Sequence, residues 1–178
     1  TLYTFSVKNF GRAKREVDFI MDLFLKEFNR MKDDPKLKDA KVNFIGRLYM
    51  FPDKVQEAMK KLMEKTKDNK KHIINFAMGY GGRQEIVDAA RDISRKVRDG
   101  ELKLEEISEE TFGNSMYMNN DVDLMIRTSG EHRTSDFLPW QAHYAEWIFL
   151  EKHWPELEKQ DLVKCIEEYS NRKRRFGK

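Results

Sequence analysis

Residues 73–82 read Ile73-Ile74-Asn75-Phe76-Ala77-Met78-Gly79-Tyr80-Gly81-Gly82. The first six form a nearly continuous apolar run, which suits a strand buried on both faces of a parallel sheet. The glycines end it with a tight turn. Gln84 to Val97 then follows helical spacing, which places Ile86, Val87, Ala90, Ile93 and Val97 inward, and Asp99-Gly100 closes the helix. A buried strand, a tight turn and a long helix make up the repeating unit of a parallel α/β sheet.

The same alternation extends in both directions. Leu2-Tyr3-Thr4-Phe5-Ser6 reads as a strand. Asn9 to Arg12 is a polar loop, and from Ala13 the residues Val17, Ile20, Met21, Phe24, Leu25, Phe28 and Met31 define an amphipathic helix that Asp33-Asp34-Pro35 ends. Val42 to Tyr49 is a strand with Gly46 inside it. Pro52 opens a helix with Val55, Met59, Leu62 and Met63 on one face, and Asp68-Asn69 turns the chain. Downstream, Ser108-Glu109-Glu110-Thr111 is a helix-cap signature, Val122 to Arg127 a strand and Ser135-Asp136 the start of a short helix. Trp147 to Leu150 is a last strand and Leu157 to Tyr169 a last helix. The pattern predicts one α/β domain over residues 1–178, with a mostly parallel central sheet and helices on both faces. Ligands of such sheets bind at the carboxyl ends of the strands. The loops of interest are therefore Ser6–Arg12, Gly46–Phe51, Gly79–Arg83, Thr128–Ser135 and His153–Pro155.

Composition narrows the function. The chain has 178 residues, 39% of them apolar, which suffices for a core. Its 37% charged residues sum to only +3, which suits anionic ligands without demanding nucleic acid. A single cysteine, Cys165, excludes a disulfide framework and a thiolate zinc site and points to a reducing compartment. No apolar run reaches the roughly 18 residues of a membrane span. Thr1 to Phe10 lacks the pattern of a signal peptide, and Thr1 leads straight into a strand, so the chain is expected to begin inside a domain.

Arg127-Thr128-Ser129-Gly130-Glu131-His132-Arg133-Thr134-Ser135 is the richest chemical feature. It follows a strand and offers two guanidinium groups, several hydroxyls, a glycine and a helix start, the parts of a phosphate or diphosphate cradle. Alternatively Arg133 pairs with Glu131. Ser6 to Arg12 also follows a strand; its Asn9 either serves a ligand or caps a helix with Phe10 as a staple. Both nucleotide-loop fingerprints are excluded: Gln84 stands where a third glycine would fall, and no G-x-x-x-x-G-K-[ST] occurs. None of the four histidines has a metal-binding spacing. Glu146, among Tyr144, Ala145 and Trp147, is either an arginine partner or a ligand for a hard ion such as Mg²⁺. Arg172 to Lys178 is a basic tail, either a solvated helix end or a phosphate clamp. Phe10, Phe24, Phe28, Met50, Met59 and Met63 either pack in the core or line an apolar tunnel. From the residues alone the chain is a diphosphate-binding α/β enzyme.

Taken in order, these stretches resemble the cis-prenyltransferase family, which includes undecaprenyl and dehydrodolichyl diphosphate synthases. The resemblance rests on Leu2 to Ser6 with Asn9-Phe10-x-Arg12 and Glu16-Val17, on Ile45-Gly46, and on Asn75-Phe76-Ala77 with Tyr80-Gly81-Gly82-Arg83-x-Glu85-Ile86. It rests most specifically on Asp123-Leu124-x-Ile126-Arg127-Thr128-Ser129-Gly130-Glu131, Arg133-x-Ser135-x-Phe137-Leu138 and Trp140-Gln141 to Tyr144-x-Glu146. Trp154-Pro155 and Arg174-Arg175-Phe176-Gly177 complete it. Two departures stand out: Lys8 replaces a frequent Glu, and Phe10 stands where bacterial members carry Trp, as in archaeal and eukaryotic members. The family's first strand and D-G-N-x-R-W-A phosphate loop do not occur in these residues.

The resemblance implies a cis-prenyltransferase fold with an apolar tunnel and the condensation of isopentenyl diphosphate with an allylic diphosphate such as farnesyl or geranylgeranyl diphosphate. It implies that Arg127, Arg133, Thr134 and Ser135 bind the diphosphate of isopentenyl diphosphate. Arg12 would hold the allylic diphosphate, Phe10 would shape the prenyl path, and Asn9 with Ser6 would assist proton removal. Glu146, with His132, would hold Mg²⁺, and Arg175 and Gly177 would approach the neighbouring subunit of a homodimer. A cytoplasmic enzyme touching the membrane peripherally would follow from a lipid product. The rivals are a non-catalytic partner subunit of a heteromeric synthase and a basic RNA-binding module, for which only Phe176 offers a base-stacking ring beside the tail.

Overall fold

The computed structural model describes residues 1–173, and Arg174 to Lys178 lie outside the described residues. The chain forms two compact units, Thr1–Met118 and Asn119–Lys178.

The first unit holds β1 (Leu2–Ser6), α1 (Lys14–Met31), β2 (Ala40–Ile45), α2 (Asp53–Thr66), β3 (His72–Tyr80), α3 (Gly82–Arg98) and α4 (Glu109–Gly113). Its sheet is entirely parallel in the order β1–β3–β2, so the apolar run at residues 73–78 is the central strand, as its composition requires. Burial rises along it: Ile73 is 62% exposed, whereas Ala77, Met78 and Tyr80 are fully buried.

Two one-residue register shifts decide which side chains share a face. Tyr3 is level with Ala77 and Phe5 with Met78, so Thr4 is skipped; Ser6 is level with Tyr80, so Gly79 is skipped. A skipped residue reverses the alternation of a strand. Phe5 therefore joins Met78 in the core under α1 and α2, with Met21, Phe28, Val42, Phe44, Phe51, Val55, Met59 and Leu62. Tyr3 and Tyr80 instead meet edge to face on the other side, at 5.9 Å. Burying aromatic and aliphatic side chains of this size is worth about 1.5–3 kcal/mol each. The outer edge of β2 is closed by Thr66 at the end of α2, whose hydroxyl accepts from the Val42 N–H (3.0 Å) and donates to the Leu62 carbonyl (2.9 Å).

Two expectations change in this unit. The second strand stops at Ile45 instead of running to Tyr49. Gly46 has φ +118°, and Leu48–Met50 forms a short helical turn instead. A Cβ on Gly46 would drive into the Met78 carbonyl, so only glycine lets β2 turn against β3 here. The inward face of α3 is also rotated: Val87 is 46% exposed and Ala90 is exposed, whereas Glu85, Ala89 and Ile93 are buried. The cause is polar. Glu85 accepts from the Tyr117 N–H (2.9 Å) and from the Tyr80 hydroxyl, so a carboxylate with two donors takes the place that periodicity assigns to valine. Finally, the polar face of α3 docks residues 115–117. Ser115 donates to Asp92 (2.8 Å) and receives Lys96 (3.0 Å), and Tyr117 donates to Asp88.

The second unit holds β4 (Leu124–Arg127), β5 (Glu146–Phe149) and α5 (Lys159–Asn171), with β4 and β5 parallel and Leu124 level with Glu146. Met125, Leu138, Ile148 and Cys165 are buried. The short helix expected at Ser135-Asp136 is absent. Ser135, Asp136 and Leu138 have φ of 50°, 66° and 49°, a left-handed turn that cannot propagate a right-handed helix.

Replacing Gly46 with alanine adds a strained φ and a backbone clash, and it should cost about 2–5 kcal/mol in urea unfolding. Asp92 is held down at about 2 from its ordinary 3.8, first by the Lys96 hydrogen bond and then by Arg95. A depressed folded pKa stabilises fully above the unfolded value and is lost as pH falls through the folded one. The melting midpoint should therefore drop between pH 3.8 and about 2, and an Asp92→Asn variant should show a shallower drop.

Candidate functional site

In the first unit the expected residues sit directly past β1. The chain leaves the strand at Ser6 and makes a short helical turn, Val7–Gly11. Asn9 Oδ1 accepts from the Ser6 N–H (2.7 Å) and from the Ser6 hydroxyl (2.9 Å). Asn9 is thus not the cap of α1, which follows Ala13 without a side-chain cap; it reaches back within the short turn to Ser6, and this contact fixes both side chains at the mouth of the strand. Phe10 turns inward and packs edge to face on Phe5 (4.9 Å) and Phe51 (5.1 Å). Its ring continues an aromatic series through Phe24, Phe28, Phe44 and Phe76, so this apolar stripe belongs to the core under α1. Arg12 is half exposed and paired with Glu16 one helical turn on.

The loops after β2 and β3 serve a structural network. Arg47 donates to Asp88 through Nε (2.8 Å) and Nη2 (2.9 Å), a planar fork on a carboxylate. That contact holds the Asp88 carboxyl below its usual range. Burial, together with the hydrogen bond to Asp88, raises the Tyr117 hydroxyl. Sequence reading did not find this network, because its members are 29 to 41 residues apart.

In the second unit the candidates gather on the loop after β4. Arg127, the last residue of that strand, donates from Nη1 to the Ser135 hydroxyl (2.9 Å). The backbone between them is tied to the segment after β5: the Ser129 N–H reaches the Lys152 carbonyl (2.8 Å) and the Gly130 N–H the Leu150 carbonyl (2.9 Å). Gly130 has φ +63°, and a Cβ there would lie 2.6 Å from the Glu151 carboxylate, so this glycine admits a close approach. Arg133 is 61% exposed and paired with Glu131 (2.5 Å), the alternative that the sequence left open. Thr134 is exposed beside it. The His132 ring stacks on Phe149 (4.4 Å, 7° between planes), and Phe149 stacks on Trp147 (5.9 Å). Glu146 opens β5 and accepts from Arg172 (2.7 Å), while Arg172 also holds Glu168 (2.5 Å). Arg175 and Gly177 lie outside the described residues.

Without a helix at Ser135, what this loop could offer an anion is side chains: two guanidinium groups and the hydroxyls of Thr128, Ser129, Thr134 and Ser135. The chemistry of the donors was tested against a divalent ion. Among the described residues no three His, Cys, Asp or Glu side chains cluster to hold a metal. A single carboxylate such as Glu146 still suits Mg²⁺, which is commonly held by one or two carboxylates together with substrate phosphates.

The prenyltransferase family model described as undecaprenyl diphosphate synthase matches residues 1–177. A tritrans,polycis-undecaprenyl-diphosphate synthase (geranylgeranyl-diphosphate specific) of Methanocaldococcus jannaschii is 43% identical over all of this chain and 66% of its own length. A ditrans,polycis-undecaprenyl-diphosphate synthase ((2E,6E)-farnesyl-diphosphate specific) of Micrococcus luteus is 41% identical over 99% of this chain and 72% of its own. Among solved structures, lavandulyl diphosphate synthase from Lavandula x intermedia, in complex with dimethylallyl diphosphate, superposes with a TM-score of 0.91 at 33% identity. The match covers 99% of this chain and 77% of that one. The chain thus spans about two thirds of the length of the archaeal relative.

If the loop after β4 binds diphosphate, Arg127→Ala should weaken inorganic diphosphate binding about 10- to 100-fold, the loss of one charge-assisted hydrogen bond. Glu131→Gln, which frees Arg133, should strengthen it. Isothermal titration would measure both.

Proposed function

This chain belongs to the cis-prenyltransferase family of undecaprenyl diphosphate synthases, and from that premise we propose that it elongates an allylic diphosphate by condensing it with isopentenyl diphosphate. The carrying observation is the loop after β4, where Arg127 and Ser135 are already joined and Arg133 stands exposed beside them. The reading treats the 178 residues as part of one catalytic domain.

In the reaction the allylic C–O bond breaks and its electron pair leaves with the diphosphate. The alkene of isopentenyl diphosphate attacks the electron-poor carbon, forms the new C–C bond and loses a proton. Arg127, Arg133, Thr134 and Ser135 hold the diphosphate of isopentenyl diphosphate, and the Arg127–Ser135 contact orients both groups before substrate arrives. Arg12 takes the allylic diphosphate, exchanging Glu16 for phosphate oxygens. Asn9, whose carbonyl oxygen is held by Ser6, keeps its amide N–H groups to orient the departing diphosphate oxygen that takes the proton. Phe10, only partly buried at the edge of the aromatic core, shapes the entrance of the prenyl path. By the family resemblance Glu146 and His132 would hold Mg²⁺, which would supply charge for the leaving diphosphate.

A homodimer completes the reading; Arg175 and Gly177, which by resemblance would serve the neighbouring subunit, lie outside the described residues. The protein acts in the cytoplasm and meets the membrane peripherally to deliver a lipid product. Among the described residues no helix is long and apolar enough to cross a membrane. A non-catalytic partner subunit gains no support from relatives that are named as synthases.

The test is elongation. Protein supplied with farnesyl or geranylgeranyl diphosphate, labelled isopentenyl diphosphate and Mg²⁺ should yield a ladder of long polyprenyl products that EDTA abolishes. Folded protein that binds both substrates and makes no product would overturn the proposal.

A further inference from the structure

Phe149 is the last residue of β5 and stands level with Arg127, the last residue of β4. Level residues of two parallel strands share one face of the sheet, so the Phe149 ring and the Arg127 side chain lie on the same face. That ring has two near-parallel neighbours. One is Trp147, two residues back on the same strand (5.9 Å, 15° between planes), and the other is His132 (4.4 Å, 7°). His132 comes from the middle of the loop after β4, and the residues on either side of it, Glu131 and Arg133, pair with each other instead (2.5 Å). The first part of this loop is tied down by the Ser129 and Gly130 N–H groups, and its end by the hydrogen bond from Arg127 to Ser135. Between those ties, the His132–Phe149 stack links residues 131–134 to the sheet.

We propose that Phe149 is a positioning residue for this loop: its ring seats His132 and thereby holds the segment carrying Arg133 and Thr134 on the sheet face that presents Arg127. This rests on the reading of the loop as the site for the diphosphate of isopentenyl diphosphate. A span tied only at Gly130 and Ser135 would sample several backbone arrangements, and a ligand that needs one of them would bear the cost of ordering it. The stack meets that cost before the ligand arrives. A parallel stack uses ring faces, so another planar ring at either position can supply it. A diphosphate held equally well in the ground state and the transition state lowers KM and leaves kcat alone, and the loss of Phe149 should be felt there. Phe149 touches no reacting atom and acts through His132. The sequence pattern assigns it only to a strand, because a stack on a loop residue leaves no periodic signal.

The experiment titrates the intact protein calorimetrically with inorganic diphosphate, without added metal. Phe149→Leu should weaken binding roughly threefold to tenfold, the scale of one aromatic pair, and Phe149→Tyr should restore it. His132→Phe, which keeps a ring, should bind more tightly than His132→Ala. In elongation assays at saturating allylic diphosphate, Phe149→Leu should raise KM for isopentenyl diphosphate by a similar factor while kcat stays within about twofold of the parent. The C–H proton resonances of the His132 ring, identified by their loss in His132→Phe, should move downfield in Phe149→Leu as the ring current of the stack disappears. Melting curves report folding, and because His132 is exposed its two variants test the stack even where Phe149→Leu loosens β5. Unchanged diphosphate affinity in Phe149→Leu, or His132→Phe binding no better than His132→Ala, overturns the proposal. Arg127→Ala tests the underlying reading apart. If it binds diphosphate as well as the parent, or the parent binds none, the loop is not the diphosphate site and the proposal falls with it. Loss in Arg127→Ala without loss in Phe149→Leu keeps the site and removes only the positioning role.

Discussion

The parallel pairing of β1 and β2 on either side of β3 is the constraint on which the rest of the first unit depends. Because all three strands run the same way, Ser6, Ile45 and Tyr80 end at one edge, and the loops that follow open there. The pairing also sets what cannot vary. Gly46 must be glycine because the Met78 carbonyl occupies the space its Cβ would need. The skipped residues Thr4 and Gly79 send Phe5 and Tyr80 to opposite faces. One face thereby becomes the aromatic core under α1 and α2, and the other carries the Tyr80 hydroxyl that, with the Tyr117 N–H, satisfies Glu85.

The second unit repeats the principle with two strands. β4 delivers Arg127 and β5 begins with Glu146, and the segments beyond them are joined by backbone hydrogen bonds from Ser129 and Gly130. Left-handed residues at Ser129, Gly130, Ser135, Asp136 and Leu138 replace the helix start that an anion site often uses. Their cost is met by the anchor of fully buried Leu138 and by the strand-to-strand ties. What remains for a ligand is side-chain chemistry, which suits a substrate carrying two phosphates.

A shared feature of the candidate cations is that each has an internal partner: Arg12 with Glu16, Arg127 with Ser135, Arg133 with Glu131 and Arg172 with Glu146. These contacts pre-orient the guanidinium groups and limit their repulsion. Arg12 and Arg133 are half exposed or more, so giving up those partners to a phosphate would cost little, whereas Arg127 and Arg172 are less exposed. The high charge content of the chain thus serves pairing as much as solubility.

Much of the fold was legible in residue order. The apolar run at 73–78, the helical spacing of Val17 to Met31 and the motifs around Asn9 and Arg127 are local patterns, and local patterns are what periodicity and turn chemistry encode. They determined the α/β class, the family and nearly every candidate residue. Only the tertiary structure decided that Glu85 displaces Val87 from the inner face of α3, that Ser135 begins a left-handed turn, and that Arg172 holds Glu146. Each depends on a partner distant in sequence or on a backbone angle imposed by neighbouring strands. Hydrophobic spacing records neither, because it describes one element at a time and cannot say which element supplies the hydrogen bond.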